Sequence, residues 1–199
     1  ERVRAPIEAE TVDEPARFWQ RIAPRLRDDP FALCALDQAA HDLWGRRLGQ
    51  PVWRLWGLDH ARTPPSDYTI GIAAIDVMVR KLREFPDFPI YKIKLGTPDD
   101  LAVVRALRAV TPARFRVDAN CAWDAATTIR LSTPLRELGV EFIEQPLPPA
   151  DVDGQREVFA RSALPIIADE SCQGEGDVER CAGLFHGVNI KLTKCGGLT

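Results

Sequence analysis

The stretch Ile90-Tyr91-Lys92-Ile93-Lys94-Leu95 decides how the chain is read. Side chains alternate along a strand, so Lys92 and Lys94 share one face and Ile93 and Leu95 the other. Three later apolar runs end in charge in the same way: Arg116-Val117-Asp118-Ala119-Asn120, Glu141-Phe142-Ile143-Glu144 and Ile166-Ile167-Ala168-Asp169. A fourth, Val188-Asn189-Ile190-Lys191, carries a lysine at the matching place. The steps from Lys94 through Asp118, Glu144 and Asp169 to Lys191 are 24, 26, 25 and 22 residues. One strand, one helix and two loops need about that length.

The strand-like runs cover 68–73, 90–95, 115–119, 140–144, 165–169 and 187–192. Amphipathic stretches at 75–84, 99–110, 125–138, 155–161 and 176–185 lie between them. Alternating β and α predicts parallel strands joined by crossover helices. Either a (β/α) barrel of the TIM type or an open doubly wound sheet would satisfy that pattern. Charge at the C-terminal end of each strand from the second onward favours the barrel, whose chemistry gathers on that rim. The glycine-rich turn of an open nucleotide-binding sheet follows none of these strands.

Before Thr63-Pro64-Pro65-Ser66 the pattern is helical. Asp29-Pro30 reads as a cap and first turn for a helix over 31–45, with Leu33, Leu36, Ala40, Leu43 and Trp44 on one face. The expected division is 1–64, helical, and 65–199, a partial barrel. About six of the eight units of a full barrel are present. The chain also opens on Glu1 rather than Met, so it reads as part of a longer protein that is inactive or barely stable by itself.

A net charge of −3 gives no reason to expect nucleic acid. No apolar run approaches the length of a membrane span. Five cysteines without a C-x-x-C pair point away from disulfides or zinc and toward a reducing cytoplasm. His41, His60 and His186 stand away from strand ends and read as surface or structural residues. Cys172 and Cys195 read as packing near the rim. Trp123 fits either the site lining or packing at a helix start.

Asp118, Glu144 and Asp169 on consecutive strands would repel one another unless a cation sat among them. Oxygen ligands with room for water suit Mg²⁺. The bland alternative makes each a helix N-cap. Lys92 and Lys94, close together and partly desolvated, would have lowered pKa values and could reach the neutral amine near neutral pH.

These motifs resemble the enolase superfamily, and within it the muconate-lactonizing subgroup. The helical Ala35-Leu36-Asp37-Gln38-Ala39-Ala40-His41-Asp42-Leu43-Trp44-Gly45 is similar to part of that family's α+β capping domain. Lys92-Ile-Lys94-Leu-Gly, Ala168-Asp-Glu-Ser-Cys172 and Asn189-Ile-Lys-Leu-Thr-Lys-Cys-Gly-Gly197 look most like dipeptide epimerases of the L-Ala-D/L-Glu type. The resemblance implies Mg²⁺ on Asp118, Glu144 and Asp169. It implies acid–base roles for Lys94 and Lys191, enolate stabilisation by Lys92, and orientation of these groups by Asn120 and Glu170. The implied substrate is a small carboxylate, a dipeptide, and the implied full-length protein a homo-oligomer. The family's Asp-x-Asp pair, which holds a dipeptide's ammonium, lies on a last strand that these residues do not contain. The alternatives are o-succinylbenzoate synthase or muconate cycloisomerase, and a non-catalytic Mg²⁺-binding fragment.

Overall fold

The computed structural model describes residues 4–199, so the first three residues of the expected capping segment lie outside it. The chain divides into two compact units, residues 4–64 with 190–199, and Pro65–Asn189.

The first unit is helical: α1 (Arg4–Glu8), α2 (Pro15–Ile22), α3 (Pro30–Leu48) and α4 (Val52–Leu55). The Asp29 carboxylate accepts from the Ala32 amide at 2.9 Å, and Pro30 fills the first turn as expected. Gly49, at φ 65°, closes α3 in the left-handed conformation that glycine adopts without a Cβ clash. Phe18, Ile22, Leu26, Leu33 and Ala40 form this unit's core. Residues 190–199 belong to the same unit. There the buried Asp37 carboxylate of α3 accepts from the Leu198 amide at 2.5 Å, the Thr199 amide at 3.1 Å and the Thr199 hydroxyl at 2.6 Å. A Cβ on Gly197 would lie 2.3 Å from that carboxylate, so glycine is required for the approach. His41 is buried and bonds the Asp37 carbonyl at 2.9 Å, consistent with a structural histidine.

The second unit carries β1 (Asp67–Ile70), α5 (Ile75–Glu84), β2 (Ile90–Lys94), α6 (Asp100–Arg108), β3 (Arg114–Asp118), α7 (Ala125–Glu137), β4 (Val140–Glu144), α8 (Val152–Arg161), β5 (Ile166–Ala168), α9 (Val178–Cys181) and β6 (Gly187–Val188). The six strands are parallel and pair in chain order. That is the order of a (β/α) barrel, six successive units of it; a doubly wound sheet would reverse at a switch point. Ile93, Val117, Ile143 and Ile166 are buried in one apolar core with Leu107, Leu135 and Val158 of the surrounding helices.

Several elements are shorter than expected: β1 stops at Ile70 instead of residue 73, and β5 covers three residues instead of 165–169. The stretch 176–185 forms only a 3₁₀ turn, Glu175–Asp177, and the single turn of α9, with Gly176 and Gly183 lowering its helix propensity. The last strand stops at Val188 instead of running to 192, because its partner β5 is only three residues long. Lys191 keeps extended backbone, at φ −113° and ψ 120°, but precedes a short helix, Leu192–Cys195, instead of ending a strand.

Candidate active site

Lys92↔Arg116 and Lys94↔Asp118 are register partners across β2 and β3, and Asp118↔Glu144 across β3 and β4. Alternation then turns all of these side chains to the inner face. At the lower level Arg116 donates to Asp67 and Glu141, each at 3.0 Å, and Arg114 donates to Glu141 at 2.8 Å. Two cations and two anions make this floor neutral.

The upper level holds the candidate metal ligands. Asp118, Glu144 and Asp169 are 0 %, 3 % and 1 % exposed, and one carboxylate oxygen of each lies within 4.8 Å of the others. Helix capping does not account for them, since Asp124 caps α7, Asp151 caps α8, and Gly174 stands at the N-cap of the 3₁₀ turn that follows β5. A buried all-oxygen set of this size suits a hard divalent cation that keeps some of its water.

Lys92 Nζ donates to both oxygens of Glu144 at 2.7 Å and lies 2.9 Å from Asp118. Lys94 Nζ donates to Asp118 and to the Asn120 side-chain oxygen, both at 2.7 Å. The Asn120 amide nitrogen donates in turn to Glu170 at 3.1 Å, and the backbone amide of Asn120 donates to Asp118 at 3.0 Å. The other oxygen of Glu170, Oε2, is buried and has no hydrogen-bond partner among the described residues. The structure therefore brings together Lys92, Lys94, Asp118, Asn120, Glu144, Asp169 and Glu170. Lys191 belongs to the other compact unit.

The expected fall in lysine pKa is not found at Lys92. Burial does push its ammonium down, but the hydrogen bonds to Glu144 and Asp118 outweigh it and hold the pKa above the ordinary value. Asp118 is also pushed up by burial, yet Lys94 and Lys92 hold it below the usual range. Glu144 ends above its usual value, since burial and the Asp118 charge exceed the pull of Lys92. Burial, then the charges of Glu170, Asp118 and Asp169, push the Cys121 thiol up to about 11.

Sequence reasoning missed three polar residues. Asn189 donates to Glu144 at 2.8 Å. Asp100 accepts from the Gly96 and Thr97 amides, the Thr97 hydroxyl and the Trp123 indole, which fixes Trp123 as packing between two loops. Gln145 is fully buried beside Glu144. Acidic or amide residues at strand and helix ends are common, so no sequence signal separated these from ordinary caps. His186 accepts from the Ile166 amide and stacks on Phe159, a structural role.

Fold and site together define a carboxylate–lysine barrel rim, and the family described as enolase C-terminal domain-like matches residues 75–199. The chain belongs to that family. An L-Ala-D/L-amino acid epimerase of Flavobacterium johnsoniae is 53 % identical over 199 residues, covering 100 % of this chain and 59 % of its own. The crystal structure of a dipeptide epimerase from Methylococcus capsulatus, complexed with Mg and the dipeptide L-Arg-D-Lys, is 35 % identical with a TM-score of 0.82, covering 95 % of this chain and 56 % of that one. A muconate cycloisomerase structure from Pseudomonas fluorescens is 29 % identical with a TM-score of 0.82, covering 94 % and 55 %. The chain thus spans little more than half the length of the relatives it matches.

Proposed function

We propose that the protein is a Mg²⁺-dependent dipeptide epimerase acting on substrates of the L-Ala-D/L-amino acid type. The observation that carries this reading is the buried cluster of Asp118, Glu144 and Asp169 with Lys92 and Lys94 hydrogen-bonded to it. The 53 % identity to an epimerase supports the substrate class over lactone chemistry.

In this reading Asp118, Glu144 and Asp169 hold Mg²⁺. The ion supplies electrostatic stabilisation for the charge that develops on the substrate carboxylate. Lys94, as the neutral amine, takes the α-proton onto Nζ, and the C–H electron pair spreads into the carboxylate as an enolate. The Lys92 ammonium stabilises that charge. Lys191, assigned by its motif, returns a proton from its ammonium to the opposite face, which inverts the carbon; the reverse direction exchanges the two roles. Asn120, braced by Glu170, orients Lys94. Residues 1–64 serve as the helical part of a capping domain. The reading includes a homo-oligomeric enzyme in a reducing cytoplasm.

Exchange of the substrate α-hydrogen in deuterated solvent tests it. Lys94→Ala should abolish exchange from one epimer while Mg²⁺ still binds. Wild-type exchange in that variant would overturn the assignment. Muconate cycloisomerase is the second reading, since a structure of that enzyme matches with the same TM-score of 0.82 as the dipeptide epimerase. Lactone turnover without dipeptide exchange would establish it instead.

A further inference from the structure

Gln145 occupies a conformation that an L side chain rarely adopts. Its φ is 36°, and it is 0 % exposed. Strain of that kind persists only where the surroundings over-determine it. Here they do. Side-chain Oε1 accepts from the amide of Asp169 at 2.9 Å and from that of Ser171 at 3.1 Å. Nε2 donates to the Leu147 carbonyl at 2.9 Å and to the Ser171 hydroxyl at 2.8 Å. The backbone amide donates to the Ile167 carbonyl at 2.9 Å, and the backbone carbonyl accepts from Cys121 at 2.8 Å. One residue therefore ties together the loops that follow β3, β4 and β5. It is covalently joined to Glu144 and hydrogen-bonded to the main chain of Asp169.

We infer that Gln145 is the positioning residue that sets the separation of Glu144 and Asp169 and so tunes the site for Mg²⁺. The inference rests on the metal reading of the carboxylate cluster. Only a primary amide supplies an acceptor to two N–H groups and a donor to a carbonyl in this pocket. Mg²⁺ needs near-ideal octahedral geometry, whereas Ca²⁺ tolerates irregular sites. A loosened frame should thus cost Mg²⁺ more than Ca²⁺, a difference that general destabilisation would not produce.

Gln155 provides the control. It is also buried and donates to the Pro148 carbonyl at 2.9 Å and, at 3.5 Å, to the Ser171 hydroxyl, whereas the amides of Asp169 and Ser171 donate to Gln145. Mg²⁺ and Ca²⁺ affinities are measured by calorimetry in wild type, Gln145→Met and Gln155→Met, with melting temperatures alongside. Gln145→Met should weaken Mg²⁺ by at least about tenfold and Ca²⁺ by about threefold, while Gln155→Met leaves both within about twofold. Equal losses for the two metals, or equal losses in the two variants, would overturn the inference. Ser171→Ala removes one anchor of the amide nitrogen and is mild enough to fold. It should weaken Mg²⁺ about threefold. An unchanged affinity there overturns the inference even if Gln145→Met cannot be purified. Failure of wild type to bind Mg²⁺ refutes the metal reading instead.

Discussion

Replacing Lys92 with Met tests whether the lysine holds the carboxylate cluster together. The Lys92 side chain is 16 % exposed, and the side chains it bridges, Asp118 and Glu144, are 0 % and 4 % exposed. Breaking a buried ion pair leaves an uncompensated charge and costs about 3–5 kcal/mol. Lys94 still serves Asp118 and Asn189 still serves Glu144, so the lower figure applies. At about 2–4 °C per kcal/mol for a chain of this size, the metal-free melting temperature should fall by roughly 6–12 °C at pH near 7. The pH dependence has a defined sign. Burial already raises the Glu144 pKa, and losing Lys92 removes the hydrogen bond that does most to lower it. A carboxyl raised in the fold contributes stability below its unfolded pKa and loses it as pH rises through the folded value. The deficit should therefore be largest near neutrality and shrink on acidification. Circular dichroism melts of Lys92→Met and wild type, without and with Mg²⁺, provide the measurement. Equal melting temperatures near neutrality, or a deficit that grows on acidification, would refute the reasoning.

Cys121, its thiol pushed up to about 11, should alkylate with iodoacetamide at least about tenfold more slowly than exposed Cys195 near pH 8. Mg²⁺ should speed that reaction, since three of the charges responsible belong to Glu170, Asp118 and Asp169; peptide mass spectrometry reads both rates. Asp37→Ala should raise tryptic cleavage after Lys194 by at least about tenfold, because three hydrogen bonds to Leu198 and Thr199 are lost. Asp100→Asn should lower the melting temperature by roughly 3–8 °C and shift tryptophan fluorescence, as the amide cannot accept from all four of its present donors.

Much of this architecture was legible from residue pattern. The period-two alternation of 90–95 and the regular spacing of Asp118, Glu144 and Asp169 require only strand geometry to place those groups on one rim. The ionisation of Lys92 was not legible, because it depends on distances to partners 26 and 52 residues away. Gln145 was hidden for a different reason. Its importance lies in main-chain hydrogen bonds and a positive φ, neither of which leaves a compositional trace. The expectation for Lys191 placed it on a strand. An apolar run such as 187–192 cannot reveal that its pairing partner, β5, is only three residues long.

The ionic floor formed by Arg114, Arg116, Asp67 and Glu141 has a bearing on how such a rim can diverge. Because that layer balances its own charge, its field beneath the carboxylates is weak, and the nearest charges to the carboxylates are those of Lys92 and Lys94. Substitutions in the loops above the rim can then accumulate without retuning the barrel's interior. A lineage can explore new side chains on its substrate while inheriting the same electrostatic foundation.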